Sequence, residues 1–166
     1  MNIVEYPRKI LRQKTKKVTN IADSDFQLFL KEMTEIMLKE DGIGLAATQV
    51  NSNLRVTVIK MKDGAEVMIN PKICWKALIK KNIVDEGCLS FPGIFGLVKR
   101  PFWIIVKYQD KTGQLKKIKA EGLLSTVIQH ELDHLKGVLF IDKIFKYTKG
   151  EKKAKELMGI ASLGER

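Results

Sequence analysis

The chain reads as α+β: antiparallel β-sheets packed around a central helix, with an N-terminal helix and a short C-terminal helix. Three observations predict this class. Two stretches alternate like the arms of β-hairpins. One apolar helical segment carries both histidines of the chain. Strands and helices do not take turns along the sequence, as a parallel α/β sheet would require.

The N-terminal helix comes first. Asp23 and Ser24 precede Phe26, Phe29, Leu30, Met33, Ile36 and Met37, which recur at helical spacing. Gln27 follows Ser24 by one turn, as in a capping box. Asp41-Gly42 is its stop. The next segment, Gly42 to Val50, is rich in Gly and Ala, so other backbone can approach it closely. It lacks the Gly-Lys-Ser/Thr of a phosphate loop.

The first hairpin runs from Arg55 to Met61, turns at Asp63-Gly64 and returns over Ala65 to Asn70. An extended stretch from Trp75 to Val84 leads into Cys88. The second hairpin joins Phe102–Gln109 to Gln114–Ala120 through Lys111-Thr112-Gly113. A helix over about Leu123 to Leu135 follows, with Gly137 as its stop. Leu123, Leu124, Val127, Ile128, Glu131 and Leu135 form its inward face. Thr148 and Glu151 suggest a capping box that opens a short basic helix.

Length fits a single domain over 1–166, and no internal repeat or linker divides it. No apolar run is long enough to span a membrane. The basic start, Met1 to Val18, lacks the apolar core of a secretory signal. Two cysteines are too few for a disulfide scaffold and point to a reducing compartment. Net charge is +11. It favours polyanionic neighbours, but the basic residues are dispersed along the chain, and a solvated surface is the plainer reading. No aromatic-rich pattern interleaves with them.

The chemistry lies in His130-Glu131-Leu132-Asp133-His134. Chance gives two histidines that spacing about once in 85 chains of this length. Positions i and i+4 share a helix face, so both imidazoles can grip one divalent metal while Glu131 handles protons. That makes the central helix the metal-binding one. A catalytic site needs a third protein ligand and an open position. Cys88 is the strong candidate, set in Glu86-Gly87-Cys88-Leu89-Ser90, where Gly87 permits close approach and Glu86 can anchor the loop or a ligand. Cys74, between Ile73 and Trp75, reads as buried packing. Gln49 is either a satisfied buried amide or a donor to a developing oxyanion.

Three segments together resemble the signature motifs of the peptide deformylase family: Gly42-Ile43-Gly44-Leu45-Ala46-Ala47-Thr48-Gln49, Glu86-Gly87-Cys88-Leu89-Ser90 and Gln129-His130-Glu131-Leu132-Asp133-His134. They stand in the family's order and at similar separations. The resemblance runs from Tyr6-Pro7 to Phe140-Ile141-Asp142. Thr48 stands where many members have Pro. Phe91 to Gly96 holds only apolar residues and Gly, where some members carry a substrate-facing Arg.

The resemblance implies removal of the formyl group from N-terminal formyl-methionine of new polypeptides. It implies Cys88, His130 and His134 as metal ligands and Glu131 as proton carrier, with Gln49 and the Leu89 N–H holding the oxyanion. Substrate contacts would come from Ile43, Gly44, Leu45, Glu86, Gly87 and Val127. Ligand types alone suggest zinc; the resemblance implies Fe2+, with Zn2+, Ni2+ or Co2+ as substitutes. It also implies a cytoplasmic monomer; in some relatives a C-terminal helix docks on the ribosome, and the short basic C-terminal segment here reads either as such a contact or as a solvated face. The residues leave two rivals, a zinc endopeptidase and a basic ribosome- or RNA-binding module with a structural metal.

Overall fold

A computed structural model describes residues 1–159; positions 160–166 of the expected single domain lie outside the described residues. The N-terminal helix α1 spans Ser24–Lys39. The short strand β1, Gly44–Ala46, follows, then a 3-10 turn over Ala47–Val50. Strands β2 (Val56–Met61), β3 (Gly64–Lys76), β4 (Lys81–Gly87), β5 (Phe95–Pro101), β6 (Trp103–Gln109) and β7 (Leu115–Glu121) precede the central helix α2, Gly122–His134. Strand β8 (Ile144–Lys149) and helix α3 (Glu151–Leu157) close the described chain.

The strands form a five-stranded sheet, β1-β2-β3-β6-β7, and a three-stranded sheet, β4-β5-β8. All their pairings are antiparallel. The period-2 alternation of β2 and β3 sends side chains to two cores. Val56, Val58, Val67 and Ile69 pack with Phe26, Leu30, Met33 and Met37 of α1. Ile59, Met68, Ile104, Val106 and Ala120 face the other way, against Val127, Ile128 and Leu132 of α2. A third core joins Leu11, Phe91, Ile94, Phe140 and Ala154. Every residue from Ser125 to His134 is buried. α2 thus runs through the interior, touching strands of both sheets, and its polar residues must find partners there.

Several local expectations change. The cap of α1 is Asp23, which accepts from the Phe26 N–H at 2.9 Å. Gln27 does not complete a box; its amide reaches the carbonyls of Ile21 and Lys111. Trp75 to Val84 is not one strand. β3 ends at Lys76 and β4 begins at Lys81; the turn between them is held to the β5–β6 junction, where Ala77 N–H donates to the Trp103 carbonyl and Phe102 N–H donates to the Lys80 carbonyl. Thr148 belongs to β8, where its hydroxyl donates to Asp85. Left-handed Gly150 starts α3 instead. Leu123 is 59% exposed, since it sits on the first turn of α2 beyond the sheet. Cys74 is half-exposed, because a bulge in β3 turns this stretch outward. Strands β1, β5 and β8 were not expected.

Candidate active site

One edge strand from each sheet, β1 and β4, flanks a cleft of about 400 Å³ with α2 as its floor. Ile43, Gly44, Gln49, Glu86, Gly87, Cys88, Leu89, Val127, His130 and Glu131 all line it. His134 lies beneath, fully buried. Of the expected substrate residues only Leu45 is elsewhere: its side chain is buried in the α1 core.

The metal-ligand expectation meets a tight geometry. Donor atoms of Cys88, His130 and His134 all lie within 4.8 Å of one another. Cys88 Sγ is 3.3 Å from Nε2 of His134. His130 turns its Nδ1 to Glu86 at 2.9 Å, which leaves Nε2 for the cluster. Among the described residues nothing bonds Nδ1 of His134 or Oε2 of Glu131, although both are buried.

Electrostatics point the same way. Burial works against a charged His130, yet its hydrogen bonds to Cys88 and Glu86 raise its pKa to about 10. His134 is held well below its ordinary value by burial and by the charge of His130. The acceptors around His130 thus favour positive charge in the pocket, as a bound cation would supply it. Two imidazoles, one thiolate and an open cleft fit a catalytic metal. Burial pushes Glu131 up to about 7, against the charges of His130 and Arg100. A carboxyl near neutrality is suited to taking and giving protons.

Gln49 is held at both ends of its amide. Its Oε1 accepts from Ala46 N–H at 2.9 Å, and its Nε2 stands 3.4 Å from Cys88 Sγ and 3.3 Å from Ser90 Oγ. The donor is aimed at the cluster. Two glycines make room. A Cβ on Gly44 would lie 2.6 Å from Oε1 of Glu131, and one on Gly87 would lie 2.5 Å from the ring of Phe95. Close approach, not turn geometry, is what requires glycine there.

Sequence reasoning missed the support behind the Cys-His-His cluster. Arg100 of β5 is buried and donates to both oxygens of Glu86 and, at 2.6 Å, to Asp133. Lys143 also reaches Asp133. Although burial opposes ionisation of Glu86, Arg100 and His130 hold its pKa down to about 2. The only available signal was Arg100 on the inward row of β5 with Gly96 and Val98. Phe95, Leu123 and Thr126 also line the cleft and were not expected there. Phe95 falls in the stretch where some members have Arg, and it offers an aromatic face instead.

Such a centre, a Cys-His-His cluster with an adjacent carboxylic acid at the floor of an open cleft, defines a metal-dependent hydrolase. The model of the family "Polypeptide deformylase" matches residues 1–150. A peptide deformylase of Caldanaerobacter subterraneus is 44% identical over 161 residues, covering 95% of this chain and 97% of its own. Peptide deformylase 1 of Bacillus anthracis is 43% identical over 149 residues, covering 89% and 94%. A Synechococcus elongatus peptide deformylase crystallised with actinonin superposes with a TM-score of 0.86 at 37% identity, over 96% of this chain and 85% of that one. The chain belongs to the polypeptide deformylase family, metal-dependent enzymes that remove N-terminal formyl groups. The endopeptidase and structural-metal readings have no support. No described helix is long and apolar enough to cross a membrane.

Proposed function

We propose that this chain deformylates N-terminal formyl-methionine on nascent polypeptides, with Cys88, His130 and His134 holding the metal. The observation that carries the assignment is the convergence of their donor atoms within 4.8 Å beside Glu131. Cys88, His130 and His134 would hold a divalent ion, which would supply Lewis acidity and a water activated near neutral pH. Glu131 takes a proton and passes one to the leaving amine. The Gln49 amide and the Leu89 N–H hold the carbonyl oxygen as it gains charge, each donor contributing about 3 kcal/mol. Ile43, Gly44 and Leu45 offer the free edge of β1 to the substrate backbone. Val127 walls the methionine pocket, with Glu86 and Gly87 opposite.

We read the ion as Fe2+, with Zn2+, Ni2+ and Co2+ as substitutes; the family resemblance supports this, since ligand type alone does not select it. The setting is cytoplasmic, the enzyme a monomer formed as one domain over 1–166. Ribosome docking through the basic C-terminal segment has narrower support. Lys143 and Lys155 are paired with Asp133 and Glu151, and Lys153 donates to the Pro92 carbonyl. Lys149 stands 5.9 Å from the Phe95 ring centre, and among the described residues Lys146 and Lys152 remain for a partner.

The test is formate release from formyl-Met tripeptides alongside metal content after anaerobic purification. Cys88→Ala, His130→Ala and His134→Ala should lose metal and activity together, and Cys74→Ala neither. Glu131→Gln should keep the metal and lose turnover by about 10²–10⁴-fold. Full metal in Cys88→Ala would overturn the ligand set. Iron in the parent, with faster inactivation in air than under argon, supports Fe2+.

A further inference from the structure

The face of the five-stranded sheet that α1 covers over β2 and β3 stays open over the far end of β3, β6 and β7. The register carries it outward from Ile69, which sits opposite Gln109, itself opposite Leu115. The next row is Lys72, Lys107 and Lys117, each directly opposite the next. The row after that is Trp75, Ile105 and Lys119. Like charges directly across strands are destabilising, and among the described residues none of these three lysines is in an ion pair. The nearest acid on the face, Glu121, already holds Lys119 at 2.5 Å. Trp75 is 67% exposed. Trp103, one position along β6 on the same face, has Lys119 Nζ 5.7 Å from its ring centre.

Three strands that present a row of unpaired cations beside an exposed indole match how sheet surfaces take single-stranded nucleic acid. Phosphates neutralise the cations and bases stack on aromatic rings. We propose that this open face binds single-stranded RNA, with Lys72, Lys107 and Lys117 on the phosphates and a base on Trp75. The surface lies across the sheet from the α2 cleft, so binding and catalysis are independent. It is also separate from the C-terminal segment. The alternative occupant is an anionic lipid surface, because the adjoining β3–β4 turn exposes Leu78 and Ile79 between lysines. The lysine row favours RNA, since successive phosphates can track the three cations while a base stacks on the exposed Trp75 ring.

The experiment uses the full chain and a fluorescein-labelled oligouridine of about 12 nucleotides, with anisotropy read over a salt series. Deformylation of a formyl-Met tripeptide serves as the folding control. The triple variant Lys72→Glu, Lys107→Glu, Lys117→Glu should weaken binding by at least about tenfold and flatten the salt dependence. Trp75→Ala should weaken it by about tenfold with the salt slope unchanged. Oligouridine binding within twofold of the parent in either variant overturns the proposal. So does loss of all binding in Lys146→Glu, Lys152→Glu, which would place RNA on the tail. Binding of phosphatidylglycerol vesicles through the three lysines, without oligouridine binding, assigns the face to lipid and overturns it as well.

Discussion

Glu86 Oε2 stands 2.9 Å from Nδ1 of His130, so a carboxylate of the small sheet orients an imidazole of the central helix. Its other contacts are to Arg100, which ties Glu86 to Asp133. Carboxylates behind metal-bound histidines fix ring orientation and basicity. Glu86→Gln should therefore lower metal affinity by about 10–100-fold, read by competition with a chelator. Arg100→Met strips buried Glu86 of its guanidinium partner and leaves Asp133 with Lys143 alone, and should cost about 3–5 kcal/mol in urea unfolding. Parental metal affinity in Glu86→Gln would mean that the bond is incidental.

Gly44 bears on catalysis through space alone. A methyl there meets Oε1, Cγ and Cδ of Glu131 at 2.6, 2.9 and 3.0 Å. Glu131 is buried, so its carboxyl must turn rather than slide into solvent. Gly44→Ala should retain full metal and lose about 10²-fold in kcat, the cost of misplacing a reacting group by roughly 1 Å. Turnover within twofold of the parent would show that Glu131 has slack.

Thr48 replaces the Pro of many relatives, and it is fully buried with a hydroxyl that no described group satisfies. An unmet buried polar group costs about 1–3 kcal/mol. Thr48→Val keeps the branched shape and removes that cost. Thermal unfolding should shift upward by about 2–4 °C per kcal/mol recovered. A lower melting temperature would show that the hydroxyl has a partner.

The parts of this site that could be read in sequence are those in which chemistry is local. His130, Glu131 and His134 share a helix face by spacing alone, and Cys88 stood out once a third ligand was needed. Arg100 was illegible because its partners lie 14 and 33 residues away. Strand β5 contains Gly96 and ends in Pro101, both poor strand formers, so nothing local declares it a strand; Gly96 is there because a Cβ would meet Ile144 at 2.7 Å. The three-residue β1 is too short for alternation to declare it. The lysine row is the plainest case. Its members are scattered along the chain and become neighbours only through the register of β3, β6 and β7.

Asp142 supplies a pH dependence away from the metal. Burial raises its pKa, but hydrogen bonds from Arg12 and the Leu139 N–H outweigh this and hold it below 3.8. A carboxyl lowered by folding adds stability above its unfolded pKa and loses it as pH falls through the folded value. Both partners are about a third exposed, so the charge contributes only about 0.5–1 kcal/mol. Asp142→Asn should thus be less stable than the parent at neutral pH. The gap should close as pH falls below 3.8. Urea unfolding of both proteins across that range checks the sign, and a gap that widens in acid would contradict it.

The basic tail is also part of the core. Ala154 is fully buried, and Leu157 and Met158 pack against the cluster of Leu11, Phe91 and Ile94. Phe91 follows the Cys88 loop closely, its N–H donating to the Cys88 carbonyl at 2.9 Å. Truncation after Tyr147 removes α3 together with the Thr148–Asp85 hydrogen bond. It should cost on the order of 3 kcal/mol from lost apolar burial and the cavity left behind. The loss would fall beneath Cys88, a proposed metal ligand, so metal should leave the truncated protein at a lower temperature than the parent. Lys146→Glu with Lys152→Glu changes charge on exposed positions and should leave stability within about 0.5 kcal/mol. Comparing the two in thermal unfolding and in low-salt ribosome co-sedimentation separates packing from docking. A truncated chain that melts with the parent would show that α3 contributes nothing to the core.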